Sequence, residues 1–178
     1  SQYSLIIQVG GAIYGFASAY VRSFIPMFQS AYAGGEVQTA RKIIEKSLSL
    51  YWILIVVCTI GVWFVGFPVL FLVKKGFSPD GLLYFALVVY LAVWNHHSLC
   101  CNYIISTSEI PYLPAYIVSA IAGFVLSYVL ISFTGMGVWA LVVGNGAAQL
   151  AYNNWKWPIY LARKFSSHYF ALIRAGLM

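Results

Sequence analysis

The chain contains LIIQVGGAIYGFASAYVRSFIPMFQ at residues 5–29, an apolar run in which Arg22 is the one charged residue. A helix needs about 20 mostly apolar residues to cross the hydrocarbon core of a bilayer, so this run is long enough to span it. Four further apolar runs occupy residues 48–73, 82–105, 113–133 and 138–161. Because none of the five runs alternates in polarity, they predict helices rather than the short strands of a membrane barrel.

The composition indicates that lipid is the solvent of this chain. Of its 178 residues, 62% are hydrophobic and 8% are charged, and the mean hydropathy is +0.84. A typical soluble domain has about 25% charged residues, so this chain could not keep its apolar surface out of water. We therefore predict an all-α fold, a polytopic membrane helix bundle with five transmembrane helices. The odd number of spans and a first residue, Ser1, that is not methionine predict a fragment of a longer protein.

The distribution of basic residues predicts the orientation of the bundle. Six cations follow the first or the fifth span: Arg41, Lys42, Lys46, Arg163, Lys164 and Arg174. The opposite side carries Lys74 and Lys75. Cytoplasmic loops carry an excess of cations, so this pattern predicts a multi-pass membrane protein with a cytoplasmic C-terminus. Residues 34–47 have the pattern of an amphipathic surface helix, and residues 162–178 that of a basic tail on the same leaflet.

A net charge of +6 could also indicate a protein that binds nucleic acid. The cations, however, lie at the ends of apolar spans rather than on one solvated face, so we expect membrane lipids as partners and no nucleic acid.

Three spans carry small residues four positions apart, a spacing typical of helices that pack closely in lipid. These residues are Gly11, Gly15, Ser119, Gly123, Ser127, Ala140, Gly144 and Ala148. We expect them to form seams between helices. The short connection at residues 134–137 predicts that the fourth and fifth spans are antiparallel neighbours.

Larger polar side chains recur at helical spacing along the first, third and fifth spans. A polar group in hydrocarbon is unfavourable without a partner, so these side chains either bond to one another between helices or line a water-filled cavity. Both explanations remain open for the amides. The candidate cavity residues are Arg22, Gln8, Asn95, Asn102, Asn145, Gln149, Asn153 and Lys156.

Arg22 carries the most information, because a guanidinium at the centre of a bilayer costs about 2.5–3.5 kcal/mol on insertion scales. It could extend past Pro26 to the interface, or it could face the cavity and bind phosphate with its planar set of donors. Pro26 predicts a bend or break below it. The four acids lie in connections or at helix ends, and they are Glu36, Glu45, Asp80 and Glu109. Spans without a carboxylate favour an anionic cargo over a cation.

The chain shows no pattern typical of an enzyme. It has no phosphate-binding glycine loop followed by lysine and no zinc-ligand spacing, so we expect no catalytic residue. His96 and His97 each precede a cysteine by four residues, at Cys100 and Cys101. Adjacent residues on a helix project about 100° apart, so the two histidines cannot complete one compact metal site. We therefore expect no metal and no cofactor.

Two stretches resemble known proteins. Residues 23–54 read SFIPMFQSAYAGGEVQTARKIIEKSLSLYWIL, and residues 134–165 read TGMGVWALVVGNGAAQLAYNNWKWPIYLARKF. The first resembles the segment of polysaccharide flippases in which a helix ends in a proline-containing stretch and passes through a basic connection into the next span. The second is similar to their last helix and basic tail. The chain thus resembles O-antigen or related lipid-linked oligosaccharide flippases of the multidrug/oligosaccharidyl-lipid/polysaccharide exporter superfamily.

This resemblance implies that residues 1–178 are most of the second lobe of a two-lobe, MATE-like transporter, with the five spans as its eighth to twelfth helices. The implied activity is translocation of an undecaprenyl-diphosphate-linked oligosaccharide, such as an O-antigen unit of lipopolysaccharide, from the inner to the outer leaflet of the bacterial inner membrane. Arg22 matches the cationic cavity role, and Lys156 is a weaker match near the cytoplasmic mouth. A polysaccharide polymerase is an open alternative as a protein partner. The alternatives to this activity are a cation or drug antiporter of the same fold and a structural membrane subunit without cargo.

Overall fold

A computed structural model describes residues 2–73, 76, 78 and 80–177, which form helices and no strand. In chain order the helices are α1 (Gln2–Arg22), α2 (Ile25–Ala33), α3 (Val37–Gly61), α4 (Phe67–Val73), α5 (Gly81–Ile105), α6 (Leu113–Thr134), α7 (Trp139–Leu150), α8 (Asn153–Lys164) and α9 (Tyr169–Ala175). A short π-helix, Val62–Gly66, joins α3 to α4. The predicted all-α fold is confirmed.

Four helical stretches of the described chain are long and apolar enough to cross a membrane. They are Ser4–Ala33, Val37–Leu72, Gly81–Ile105 and Leu113–Thr134. These stretches correspond to the first four apolar runs of the sequence, and they make the chain a helical membrane protein.

The region of the predicted fifth span, residues 138–161, differs from one continuous helix. It is interrupted at Ala151 and Tyr152, and Tyr152 has non-helical backbone angles, with φ −146° and ψ −58°. The two halves, α7 and α8, have 12 residues each. A helix of that length covers only about 18 Å. Pro158 lies within α8 and has no N–H to donate to Asn154, which disfavours a straight helix through this region.

Two other interruptions agree with the sequence. α1 ends at Arg22, and Pro26 lies in the first turn of α2, where its missing N–H is tolerated. Gly35 has a positive φ of 77° in the turn that precedes α3.

The predicted surface helix at residues 34–47 is not a separate element. Residues from Val37 onward form the first turns of α3 and continue directly into the span. Ala40 and Ile44 are fully buried, and this part of α3 packs against α2 and α9. The helix is continuous because neither glycine nor proline occurs between Glu36 and Gly61.

Three buried tyrosines connect α3 to α5 along most of their length. The Tyr51 hydroxyl of α3 donates to the Ala92 carbonyl of α5 over 2.7 Å. In the opposite direction, the Tyr84 hydroxyl donates to the Thr59 carbonyl over 2.9 Å, and the Tyr103 hydroxyl donates to Ser47 Oγ over 2.7 Å. Buried hydroxyls need such partners, so these bonds fix how α3 and α5 are rotated against each other.

The predicted seam of small residues is present between α6 and α7, which lie antiparallel along each other. Gly144 approaches α6 so closely that a Cβ atom there would lie 2.5 Å from Ser127 Oγ. A Cβ atom on Gly123 would lie 2.7 Å from Asn145 Oδ1. The predicted seam at Gly11 and Gly15 of α1 is not present among the described residues. A Cβ atom on either glycine would meet no described atom within 4 Å. That face of α1 is open rather than packed.

Six cations lie at one end of the bundle, which we call the basic end: Arg41, Lys42, Lys46, Arg163, Lys164 and Arg174. Two contacts bring their segments together. The Lys164 ammonium contacts the Glu109 carboxylate over 2.7 Å, and Ser49 Oγ donates to the Ile173 carbonyl over 2.6 Å. The predicted basic tail, residues 162–178, is therefore folded onto the bundle over its described part, which ends at Leu177, with Leu172 of α9 fully buried. Lys74 and Lys75, predicted on the opposite side, lie outside the described residues.

Candidate functional site

A cavity of about 410 Å³ opens between α1, α5, α6 and α7. Its lining residues are Arg22, Trp94, Ser98, Cys101, Asn102, Tyr112, Tyr116, Ala120 and Gln149. We call it the Arg22 cavity. Three of the eight candidate residues, Arg22, Asn102 and Gln149, thus come from three different helices to one site.

Arg22 is the last residue of α1, where its positive charge interacts favourably with the carbonyl end of the helix dipole. The interruption of the helix at Ser23 and Phe24 leaves this side chain exposed. Within the described part of the chain, no acidic side chain forms an ion pair with it. The guanidinium is therefore available to an external anion.

Asn102 and Ser98 contribute polar groups from α5. The Asn102 carbonyl accepts a bond from Ser106 Oγ over 2.9 Å, whereas its half-buried side-chain amide bonds to no other described residue. Ser98 Oγ lies 3.5 Å from the Tyr116 hydroxyl, a long contact that leaves capacity for other partners. Amide and hydroxyl groups of this kind suit a ligand with many hydroxyls.

Gln149 is held rigidly by bonds that cross the interruption between α7 and α8. Its Nε2 donates to Ser119 Oγ over 3.2 Å, and its Oε1 accepts from Asn153 Nδ2 over 2.8 Å. Asn153 Nδ2 also donates to Ser119 Oγ over 2.6 Å, while Asn153 Oδ1 accepts from Trp157 Nε1 over 2.8 Å. Because both ends of its amide are engaged, Gln149 forms part of the cavity wall, and Asn153 supports it from behind.

Aromatic side chains form a second wall of the cavity. None of these aromatic residues was among the candidates predicted from the sequence. Tyr112 and Tyr116, at the start of α6, have ring centroids 5.2 Å apart. His97 is fully buried behind the wall, with its ring 5.4 Å from Tyr116 and 5.7 Å from Trp94. The spacing of these residues in the sequence could have predicted that they share a face. Trp94 precedes Ser98 by one helical turn, and Tyr112, Tyr116 and Ala120 follow one another at four-residue intervals.

Two of the remaining candidates lie on spans that contribute to the cavity but outside it. Gln8 is exposed and precedes Arg22 by 14 positions, or about 21 Å along a helix. Asn95 is buried, and its Nδ2 donates to the Leu91 carbonyl of the same helix over 2.7 Å. Adjacent residues project about 100° apart, so Trp94 reaches the cavity and Asn95 does not.

The other three candidates have partners near α7 and α8. Asn145 Nδ2 donates to Ser127 Oγ over 3.2 Å in the seam between α6 and α7. Asn153 belongs to the network behind Gln149. The Lys156 ammonium lies 5.9 Å from the centre of the Tyr152 ring. Asn145 and Asn153 thus follow the interhelical bonding that the sequence left open for the amides, whereas Lys156 contacts a ring only four residues away in sequence.

The lining of the Arg22 cavity combines one cation, neutral polar groups and aromatic rings. Of its described lining residues, none is acidic. His96 contacts the Tyr169 hydroxyl through Nε2 over 3.1 Å, so the two histidines face different neighbours. Within the part of the chain that the structure describes, no cluster of three His, Cys, Asp or Glu residues could hold a metal ion. The chemistry of the cavity suits an anion that carries a hydroxyl-rich, ring-shaped group.

No protein-family model, no curated protein and no solved structure matches this chain.

Proposed function

We propose that the chain is part of a transporter that moves an undecaprenyl-diphosphate-linked oligosaccharide, such as an O-antigen unit, across the bacterial inner membrane for surface polysaccharide assembly. The observation that carries this proposal is the meeting of Arg22 with Asn102 and an aromatic wall in one cavity between the spans. In the proposal, α7 and α8 together make a fifth, interrupted crossing of a MATE-like lobe. Interrupted helices near binding sites are common in transporters.

Each part of the cavity has a role in this proposal. The Arg22 guanidinium binds the diphosphate, because its planar fork of donors matches phosphate oxygens. Asn102 and Ser98 bond to sugar hydroxyls, and Tyr112 and Tyr116 offer ring faces to the sugar. α1 and α6 form the two sides of the cavity and do not pack along each other in the described chain, so the polyprenyl tail can remain in lipid.

The lining supports this cargo over that of a cation antiporter of the same fold. A site for a cationic drug within a membrane needs an acidic or otherwise negative group as its partner. The described lining residues offer Arg22 instead.

Replacement of Arg22 in the natural host tests the proposal. Arg22→Gln should lower surface glycan about 10- to 100-fold, the effect of losing hydrogen bonds to a charged group, while membrane abundance stays constant. Arg22→Lys should retain part of the export, because it keeps the charge and loses the bidentate geometry. Surface glycan is measured by immunoblot, and abundance by quantitative blotting of membranes.

Arg174→Gln is the matched control, because Arg174 is an exposed cation that does not line the cavity. It should export normally. Full export by Arg22→Gln would contradict the proposal, and an equal loss in both variants would show that only overall charge matters. If Arg22→Gln lowered membrane abundance but left the surface glycan per membrane protein unchanged, the result would favour the alternative of a structural membrane subunit without cargo.

A further inference from the structure

A second groove, of about 420 Å³, lies along α8 and the start of α9. Its lining residues are Asn154, Trp155, Pro158, Ile159, Ala162, Arg163, Ser167, His168, Tyr169 and Phe170. We call it the α8–α9 groove. It shares no lining residue with the Arg22 cavity, so its function is a separate question.

The α8–α9 groove changes from apolar to basic along the helix. Trp155 and Ile159 lie towards the interruption between α7 and α8, whereas Arg163 lies in the last turn of α8 at the basic end. The distance from Trp155 to Arg163 along the axis is about 12 Å. Trp155 and Phe170 are 49% and 81% exposed, so large aromatic surfaces border the groove on the outside of the bundle.

The positive charge of the groove has no counterion in the described chain. Two of the six cations of the basic end have an ion-pair partner among the described residues, since Arg41 contacts Glu45 over 2.8 Å and Lys164 contacts Glu109 over 2.7 Å, whereas Lys42, Lys46 and Arg174, like Arg163, have none. Arg163 is exposed, forms no ion pair with a described residue, and shares the groove with no acidic side chain. An anion is therefore the complementary ligand.

An apolar trough lies next to the groove. It has a volume of about 580 Å³, lies between α5 and α7, and shares Asn154 with the α8–α9 groove. Its wall includes Phe85, Val89, Val93, Val142 and Leu150. A ligand that fits both regions needs an anionic group at one end and a long hydrocarbon chain at the other.

We propose that the α8–α9 groove binds an anionic phospholipid of the surrounding membrane. The headgroup phosphate contacts Arg163, with Ser167 and His168 beside it. An acyl chain follows Ile159 and Ala162 to Asn154 and enters the apolar trough. Basic pockets at the end of a helix bundle are suited to anionic headgroups, because each cation near the membrane surface adds to the attraction. This proposal does not depend on the cargo of the Arg22 cavity.

Native mass spectrometry of the full chain in a neutral maltoside detergent tests the site. The protein is mixed with phosphatidylglycerol or with phosphatidylcholine that carries the same acyl chains. We expect about five-fold stronger binding of phosphatidylglycerol, and loss of this preference in Arg163→Gln. Ile159→Asn should weaken binding of both lipids, because it puts a polar group against the acyl chain. Free sn-glycerol 3-phosphate at the same concentration should not displace phosphatidylglycerol, because it lacks that chain.

Two controls separate this site from other cations. Arg174→Gln removes an exposed charge of the same end outside the groove, and Arg22→Gln removes the charge of the other cavity. Both should keep the lipid preference. Equal binding of the two lipids by the unaltered chain, an unchanged preference in Arg163→Gln, or an equal loss in Arg174→Gln would overturn the proposal. Displacement by sn-glycerol 3-phosphate would show a phosphate site and not a lipid site.

Discussion

Gly144 allows the backbones of α6 and α7 to touch. A Cβ atom there would lie 2.5 Å from Ser127 Oγ and 2.6 Å from the Ser127 backbone nitrogen, and a backbone atom cannot move aside as a side chain can. Gly144→Ala should therefore destabilise the protein by about 1–3 kcal/mol, the usual cost of overpacking. The expected result is a lower apparent melting temperature in detergent, by about 2–10 °C.

Gly15→Ala is the matched control for this residue, because a Cβ atom there would meet no described atom within 4 Å. Its apparent melting temperature should stay the same or rise, since alanine is the better helix former. Equal effects of the two substitutions would contradict a seam that is specific to α6 and α7.

At the scale of the element, α5 presents one face to the Arg22 cavity and another to its neighbouring helices. In a chain whose native cysteines are replaced by alanine, Asn102→Cys should react with a water-soluble maleimide. Asn95→Cys should not, because Asn95 is 8% exposed and Asn102 lines the cavity. Labelling is measured by mass spectrometry in intact, inserted protein. No reaction at Asn102→Cys would show that water does not enter the cavity, and labelling of Asn95→Cys would contradict the orientation of α5.

The interruption between α7 and α8 is stabilised by the side chains around Asn153. Asn153→Ala removes its bonds to Ser119 and Gln149 and leaves Trp157 Nε1 buried without its partner. A buried polar group without a partner costs about 1–3 kcal/mol, so the apparent melting temperature should fall. Lys156→Ala, on the same helix and outside this network, should leave it nearly unchanged. A larger effect of Lys156→Ala would show that the network does not support the break.

At the scale of the whole molecule, Glu109 connects the turn between α5 and α6 to the end of α8. The bond from the Lys164 ammonium, together with one from the Tyr160 hydroxyl over 2.8 Å, lowers the pKa of the Glu109 carboxyl below its ordinary value of 4.5. A lowered folded-state pKa stabilises the protein above the unfolded-state pKa, and this contribution is lost as the pH falls through the folded-state value.

The unaltered chain should therefore lose apparent melting temperature between neutral pH and about pH 3.5, and Glu109→Gln should lose less over the same range. The measurement is a thermal scan of both proteins at each pH. Glu36→Gln, an exposed carboxylate of the same end, is the control and should behave like the unaltered chain. An identical pH profile for Glu109→Gln and the unaltered chain would rule out this contribution.

Much of the helical architecture was predictable because local composition controls it. The fourth apolar run, residues 113–133, nearly matches α6 in length, since Pro111 precedes it, Pro114 lies in its first turn and Gly135, with a φ of 65°, ends it. The interruption near 151–152 was not predicted. It is stabilised by Ser119 of another helix, a partner that lies 30 or more positions from Gln149 and Asn153 and that no local pattern identifies.

The sequence by itself determined that this is a helical membrane protein with long apolar spans, a break near Pro26 and its cations near the helix ends. These properties depend on hydrophobicity and on residues that cannot continue a helix. Only the tertiary structure decided that Arg22, Asn102 and Gln149 share a cavity while Gln8, Asn95 and Asn145 do not. Position along α1 excludes Gln8, and the rotation of α5 about its axis excludes Asn95. Contacts with neighbouring helices fix that rotation.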